Sequence, residues 1–371
     1  MLNDITLWSD GENEPLGNLH IHYQYHAGDK KPDKYRRELS LNNAVSRTSF
    51  ILDDVKYTRE YFSDFKRDVM VIRLYASEIG KLNFHVDMDH PQEFASKLDG
   101  DDLVMRGQTK EIRYITRIRI RISGAGKLTD NDGKLHVTGA QEAMIIVSAA
   151  TDYKDDGYEA KCTQLLNYAL IENKYTTIKA QHTEVFRDYF DRASLNLTSH
   201  TRKDTIPIDR RLTAFIADPN DNGLAELCFQ YGRYLLISNM LSVCPPFRID
   251  GHLSGCSDIA DMLIQRRTGV IELLPALPEA WDEGVFDGLN VGGDAELSAA
   301  WKDHRLTSAL LKATADNTFK VKIPDYAKNV TFEKNRMPMD AEIMDGIIEL
   351  TLKKDETVQV RIENIDKTGN P

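Results

Sequence analysis

Alternating apolar and polar residues run through the first part of the chain, from residue 18 to residue 153. Successive side chains of an extended strand point to opposite faces, so Leu19, Ile21 and Tyr23 are predicted to share one face. Residues Ile115–Ser123 alternate isoleucine with threonine, arginine and serine, which is typical of a strand with one solvated face. This repeated pattern predicts a large N-terminal β-sandwich.

Three further apolar stretches and a turn motif support the same prediction. The stretches are Val69–Ser77, Lys81–Asp89 and Ala143–Ala150. The dipeptide Asp132-Gly133 lies between two strand-like segments, and Asp-Gly is a strong signal for a tight β-hairpin turn.

Helical spacing replaces the alternation after Asp156. Apolar residues three and four positions apart predict a helical linker from Gly157 to Ser194. A second helix is predicted over Ser254–Arg267, where aspartates come early and arginines late, the order that suits the helix dipole. Between these regions lies another helical stripe, formed by Leu224, Leu227, Cys228, Tyr231, Tyr234 and Leu235.

Short alternating segments separated by Asp-Gly and Asp-Asn turns return after residue 283 and predict a small antiparallel β-domain. The residues from Ile365 onwards are expected to form a frayed tail. We therefore predict an N-terminal β-sandwich (1–154), a helical linker (155–204), a short helical region (205–282) and a C-terminal β-domain (283–371). Neither a repeat nor a low-complexity tract interrupts this order.

Composition and charge narrow the function classes. The net charge of −11 argues against nucleic acid as a partner, because an acidic chain gains nothing from counterion release. The four cysteines form no CxxC pair, so a zinc site is not expected, although a Cys244–Cys256 disulfide stays open. No apolar run is long enough to span a membrane. The N-terminus as written carries no signal peptide, so we expect either that the protein is cytoplasmic or that its true N-terminus is missing.

Several sequence strings, in order along the chain, resemble glycoside hydrolase family 95, the inverting 1,2-α-L-fucosidases and their α-L-galactosidase relatives. The longest are YRRELSLNNAVSRTSF, HTEVFRDYFDRASLNL, FQYGRYLLIS, PPFRIDG and GVIELLPALPEAWDEGVFDGL. The resemblance covers most of the chain. It implies an N-terminal β-supersandwich, a helical linker, an (α/α)6 catalytic barrel and a C-terminal β-domain.

The barrel is the part of that architecture for which the chain is too short. Twelve helices with short connections need roughly 200 residues, far more than lie between Ile206 and Thr268. The FQYGRYLLIS string runs almost directly into the PPF motif, which belongs near the end of the family's barrel. We therefore expect only a remnant of the barrel, with about three helices.

Inverting hydrolysis needs a carboxylic acid and a carboxylate base roughly 6.5–9.5 Å apart. In the family the base is the aspartate of the PPF-x-ID-G motif, which matches Asp250. The acid and two assisting asparagines belong to the missing segment, so no residue here is assigned to them. The resemblance also places Cys244 where the family usually has a sugar-binding histidine, and His252 beside the base where the family usually has asparagine.

Other interpretations of these residues stay open. Asp250 followed by glycine also suits a turn whose carboxylate caps a helix that begins near Ser254. His252 also suits an exposed loop, and His182 suits a structural role. Four aromatic residues suit either the core or sugar stacking, namely Trp8, Tyr231, Tyr234 and Trp281.

The resemblance implies an α-L-fucosidase-type glycoside hydrolase that acts on fucosylated oligosaccharides and needs neither cofactor nor metal. Because the general acid is missing, we expect its activity to be impaired. The alternative is a non-catalytic carbohydrate-binding or structural remnant. A third hypothesis is an incomplete gene model or a naturally deleted gene whose product folds poorly. The exposed apolar helix faces of such a product would favour association.

Overall fold

The computed structural model describes residues 6–9, 12–25, 28, 30–109, 112–153, 156–171, 174–198, 203, 205–217, 221–240 and 250–363. Side chains are not described for residues 6–15, 239–240 and 250–256. The chain divides into two compact units: Met1–Tyr189 with Ile237–Phe247, and Phe190–Leu236 with Arg248–Pro371. The predicted fold class, β-rich at both ends with helices between, is confirmed.

Unit 1 contains an eight-stranded antiparallel sheet, a four-stranded antiparallel sheet and a two-stranded ribbon. Their spatial orders are β4-β5-β6-β7-β14-β11-β10-β9, β12-β13-β8-β3 and β1-β2. The strands are β1 Thr6–Ser9, β2 Glu12–Pro15, β3 Asn18–Tyr23, β4 Asp33–Ser40, β5 Val45–Leu52, β6 Val55–Asp64, β7 Val69–Ala76, β8 Leu82–Asp89, β9 Phe94–Asp99, β10 Asp102–Thr109, β11 Ile112–Ser123, β12 Lys127–Asn131, β13 Lys134–Ala140 and β14 Glu142–Thr151.

Side chains from the large and the four-stranded sheets meet in one apolar core, which the alternating sequence pattern predicted. Leu19, Ile21 and Tyr23 of β3 do share the face that packs against this core. The predicted hairpin joins β12 to β13, with Asp132 and Gly133 at φ values of 51° and 71°. Positive φ at both central residues is the geometry that a two-residue type I′ turn requires.

Two helices follow the strands of unit 1: α1 Tyr158–Ala169, and α2 Tyr175–Phe190, which lies in unit 1 up to Tyr189. Their apolar stripes pack on the second face of the large sheet, where Leu166 and Ile178 join Val71 and Ile146 in a separate core cluster. The prediction that His182 is structural is confirmed. Its ring is buried against Phe62, and its Nε2 lies 2.9 Å from the carbonyl oxygen of Asn43.

Unit 2 contains a seven-stranded sheet, β15-β18-β19-β20-β26-β22-β23, and a five-stranded sheet, β16-β17-β21-β25-β24. All pairs are antiparallel except β17 with β21. The strands are β15 Ser194–Leu197, β16 Ile264–Arg267, β17 Val270–Leu273, β18 Gly284–Val291, β19 Ala295–Lys302, β20 Arg305–Ala313, β21 Asn317–Lys322, β22 Asn329–Lys334, β23 Met337–Met339, β24 Ile343–Met344, β25 Ile347–Leu352 and β26 Thr357–Glu363.

The two sheets of unit 2 enclose a second, independent core. Trp301 is fully buried there, and its indole Nε1 donates a 2.9 Å hydrogen bond to the carbonyl oxygen of Trp281. Trp281 is itself only 6% exposed, so its interpretation as a core residue is confirmed. Each unit therefore has a core of its own, as a domain needs in order to fold by itself.

Three helices are described between Ile206 and Thr268: α3 Ile208–Ala217, α4 Asn222–Met240 and α5 Asp250–Leu263. This agrees with the three expected from the sequence. The predicted extent of α5 was wrong at both ends, because the helix begins four residues before Ser254 and ends before the final four residues. Those four form β16, which pairs with β17 and buries Ile264, so sheet pairing overrides the helical charge pattern there.

Helix α4 turns a different face inward from the one that its apolar stripe suggested. Its buried residues are Phe229, Gly232 and Arg233, whereas Tyr231 on the predicted stripe is 42% exposed. Helix α3 also has an unusually apolar surface. Its exposed apolar side chains are Ile208, Leu212, Phe215 and Ile216, and Leu212 is 56% exposed. Exposed apolar faces of this kind favour association.

Candidate functional site

The residues that the sequence singled out lie at the start of α5 or just before it. Asp250 and His252 are in the first turn of the helix, and their side chains are not described. Cys244 lies outside the described residues, as does most of the PPF motif. The expectation of a loop at His252 and an Asp-Gly turn at Asp250 was wrong, because both positions are helical. The catalytic role of Asp250 stays a prediction.

Two further aspartates of α5 are too far along the helix to complete a pair with Asp250. Asp258 and Asp261 follow it by two and three turns, so they are displaced by about 12 and 16 Å along the axis at 1.5 Å per residue. Inverting hydrolysis needs its carboxyl groups roughly 6.5–9.5 Å apart.

A cleft of 840 Å³ lies within unit 2, between α4, α5, β16 and β18. Its size falls in the range of ligand-binding clefts in proteins. Both apolar and polar side chains line it. The lining residues that matter for its chemistry are Arg233, Asp261, Gln265, Arg266, Arg267 and Asn290.

The cleft is rich in guanidinium groups and poor in carboxylates. Asp261 is the single carboxylate among its described lining residues, and it is exposed. Arg266 donates from Nη1 to Oδ1 of Asp294 at 2.7 Å. Gly292 makes room for this arginine, because an added Cβ would lie 2.4 Å from its Nη1. This arrangement suits a polar or anionic ligand, and its described residues do not provide an acid–base pair.

Arg233 forms the inner wall of the cleft and is almost completely buried. Its Nη2 donates to the carbonyl oxygen of Phe190 at 2.6 Å, and its Nη1 donates to Oε1 of Gln230 at 2.8 Å. The guanidinium also lies 4.8 Å from the centre of the Phe190 ring. These contacts hold the Arg233 side chain in place within unit 2.

The aromatic candidates separate into two groups. Trp281 belongs to the core, as described above, and the side chain of Trp8 is not described. Tyr231 and Tyr234 lie side by side on α4, with ring centres 6.0 Å apart, and neither lines the cleft. Sugar stacking by these tyrosines stays a prediction.

Sequence reasoning missed the ion pair that joins α3 to α4. Arg211 donates from Nη2 to Oδ1 of Asp221 at 2.7 Å and from Nε to Oδ2 at 3.1 Å, and both side chains are buried. The hydrogen bond from Arg211 lowers the pKa of the Asp221 carboxyl group, so the pair stays charged. Arg211 lies in α3 and Asp221 immediately precedes α4, and no local pattern in the sequence indicates that they pair.

Models of known protein families match three segments of the chain. Residues 2–156 match the glycosyl hydrolase family 65 N-terminal domain, residues 174–240 match the glycosyl hydrolase family 95 catalytic domain, and residues 265–360 match the glycoside hydrolase family 95 C-terminal domain. Helix α5, which begins with Asp250, lies between the last two segments and matches neither of them.

Curated relatives include alpha-L-fucosidase 2 of Arabidopsis thaliana, which is 26% identical over 60% of this chain and 31% of its own length. Probable alpha-fucosidase A of Aspergillus niger is 25% identical over 56% of this chain and 28% of its own. The chain thus spans about a third of the length of the curated relatives that it matches. A solved structure assigned as a kojibiose phosphorylase from the human microbiome covers 64% of this chain and 34% of its own, with 10% identity and a TM-score of 0.44.

No helix in the described part of the chain is long and apolar enough to cross a membrane.

Proposed function

We propose, on the premise that this chain belongs to glycoside hydrolase family 95, that it is an α-L-fucosidase-type protein whose own hydrolytic activity is impaired. The family relation and the names of the relatives support the substrate class, a terminal α-L-fucosyl linkage. The observation that carries the impairment is the single described carboxylate, Asp261, in an arginine-rich cleft.

Loss of the proton donor has a known cost. Inverting hydrolysis requires one group to protonate the leaving oxygen while another activates water, and general acid catalysis contributes roughly 10²–10⁴-fold. If Asp250 acts as the base, it can activate a water molecule, but no group protonates the oxygen of the departing sugar. We therefore expect turnover to be lower by at least that factor than in a relative with both groups.

The test is release of free fucose from a 1,2-linked fucosyl oligosaccharide, with a full-length α-L-fucosidase as positive control. We expect the chain to release fucose no faster than the Asp250→Asn variant does. Release well above background that Asp250→Asn abolishes would refute the impairment and establish the base. Release that Asp250→Asn leaves unchanged would point to contamination, and a repeat with repurified protein would then decide.

A second candidate function is sugar binding without turnover, which the retained volume of the cleft favours. Calorimetric titration with the same oligosaccharide tests it in the absence of chemistry. Saturable binding that is lost when Asn290 on the cleft wall is replaced by a bulkier leucine would support it. A flat titration would leave a structural role.

A further inference from the structure

The solvent-facing side of the four-stranded sheet in unit 1 carries an unusual row of histidines. Strand pairing places His22 of β3 directly opposite His85 of β8, and places His136 of β13 opposite the same residue. The rings of His22 and His85 are stacked with centres 4.4 Å apart, and those of His85 and His136 lie 5.2 Å apart. Three imidazoles thus lie side by side across three strands.

A carboxylate completes this group from the adjacent position on the same face. Asp87 follows His85 by two residues on β8, so both side chains leave the sheet on the same side. Nε2 of His22 donates to Oδ1 of Asp87 at 3.2 Å. One ligand atom from each of His22, His85 and Asp87 lies within 4.8 Å of the other two.

An unsatisfied polar atom in this group also points to a ligand. Nδ1 of His85 is shielded from solvent and has no hydrogen-bond partner among the described residues. Buried polar groups are nearly always paired, and an exception calls for an unseen water or ion, or for a functional role. His85 is therefore a side chain whose bonding is incomplete without a further partner.

We propose that His22, His85 and Asp87 form a binding site for a Zn²⁺ ion. Two imidazoles and one carboxylate are a ligand set that zinc accepts, with water in the fourth position. Nitrogen and oxygen ligands at about 2.0–2.2 Å from zinc lie closer together than 4.8 Å, so the side chains must close around the ion. His22 is exposed and can move, whereas its partner His85 is held by rings on both sides.

One neighbouring cation opposes the ion. Nζ of Lys134 donates to Oδ2 of Asp87 at 2.7 Å, and the ammonium group would repel Zn²⁺. The opposite oxygen, Oδ1, faces His22 and is the one that an ion would bind. Removing the ammonium group should therefore strengthen binding, an effect that a purely structural role of Asp87 would not produce.

Calorimetric titration of ZnCl₂ into the untagged, metal-stripped full chain tests the site. We expect binding of one ion per chain, weakened at least tenfold by His85→Ala and by Asp87→Asn. His304→Ala is the matched control, because His304 is an exposed histidine in the other unit. Circular dichroism confirms that each variant is folded, which is expected because His85 and Asp87 lie on the outer face of the sheet.

Lys134→Met provides the second measurement. We expect it to tighten Zn²⁺ binding several-fold, and we expect Co²⁺ added in place of zinc to develop visible absorption that His85→Ala removes. The proposal fails if the native chain shows no saturable binding, if His85→Ala binds as the native chain does, or if His304→Ala alone removes binding. Unchanged affinity in Lys134→Met would exclude Asp87 as a ligand.

Discussion

Glu60 of β6 offers the sharpest test of how unit 1 is held together. Its side chain is 3% exposed and accepts hydrogen bonds from three elements, β5, β7 and α2. Arg47 on β5 donates to Oε1 from Nη2 at 2.8 Å, and Arg73 on β7 lies 3.4 Å from Oε2. From α2, Nζ of Lys179 donates to Oε1 at 2.7 Å and the hydroxyl of Tyr175 donates to Oε2 at 2.9 Å. The carboxylate therefore fastens the helix to the sheet.

Two arguments indicate how much the Glu60 carboxylate contributes to the free energy of unfolding. Burial alone would raise the pKa of Glu60, but hydrogen bonds from Lys179, Arg47 and Tyr175 outweigh it and lower the pKa from 4.5 to about 2. At about 1.4 kcal/mol per pKa unit, this shift corresponds to about 3 kcal/mol. Removing one partner of a buried ion pair typically costs about 3–5 kcal/mol. We expect Glu60→Gln to destabilise unit 1 by about 3 kcal/mol.

The assay is urea unfolding followed by two signals. Trp281 and Trp301 lie in unit 2, so in a Trp8→Phe background fluorescence reports on that unit, whereas far-ultraviolet circular dichroism reports on both. Glu60→Gln should lower the urea midpoint seen by circular dichroism and leave the fluorescence midpoint unchanged. The control is Glu349→Gln, which breaks a half-exposed pair and should cost less than about 1 kcal/mol.

The dependence on pH provides an independent check. The folded-state pKa of Glu60 lies below the ordinary 4.5, so its contribution is complete above pH 4.5 and is lost as the pH falls towards 2. The stability difference between the native chain and Glu60→Gln should therefore shrink over that range. A difference below about 1 kcal/mol at neutral pH, or one that does not change with pH, would refute the reasoning.

Three further predictions concern unit 2. Gly288→Ala should lower the fluorescence-detected urea midpoint, because the glycine has φ +65° and an added Cβ would lie 1.9 Å from the carbonyl oxygen of Arg192. Asp221→Asn should cost about 3 kcal/mol and speed amide exchange in α3, because it leaves the buried Arg211 facing a neutral amide. Ile216→Lys should increase the monomer fraction on size exclusion, because this side chain is 87% exposed; an unchanged elution profile would count against association through α3.

Much of the fold could be predicted because its determinants are local. Alternation at Leu19, Ile21 and Tyr23 gives a strand with one buried face whatever the partner strand is. The Asp132-Gly133 turn is equally local, since only the backbone preferences of two residues decide it.

The predictions that were wrong concern features that depend on residues distant in the sequence. Helix α5 ends at Leu263 because the following residues pair with β17, and no charge pattern within the helix contains that information. The inner face of α4 is set in the same way. Phe229 enters the core of unit 2, and Arg233 binds the carbonyl oxygen of Phe190, so an arginine is buried while Tyr231 stays exposed.

The histidine row shows why candidate sites are harder to predict than strands. His22 and His85 are separated by more than 60 positions and become neighbours only through the register of β3 on β8. A shift of one residue in that register would turn one of them into the core. Sequence motifs for metal sites, such as CxxC, describe ligands that lie close together along the chain. They do not detect ligands that strand pairing brings together.

The cleft in unit 2 and the residues needed for hydrolysis are separate questions. Two walls of the cleft, α4 and β18, lie within segments that match family 95, whereas the wall formed by α5 lies between those segments. Its described lining residues include one carboxylate, Asp261. Hydrolysis needs two carboxyl groups, whereas sugar binding needs neither, so a protein can have one property without the other. Sugar binding and fucose release should therefore be measured separately.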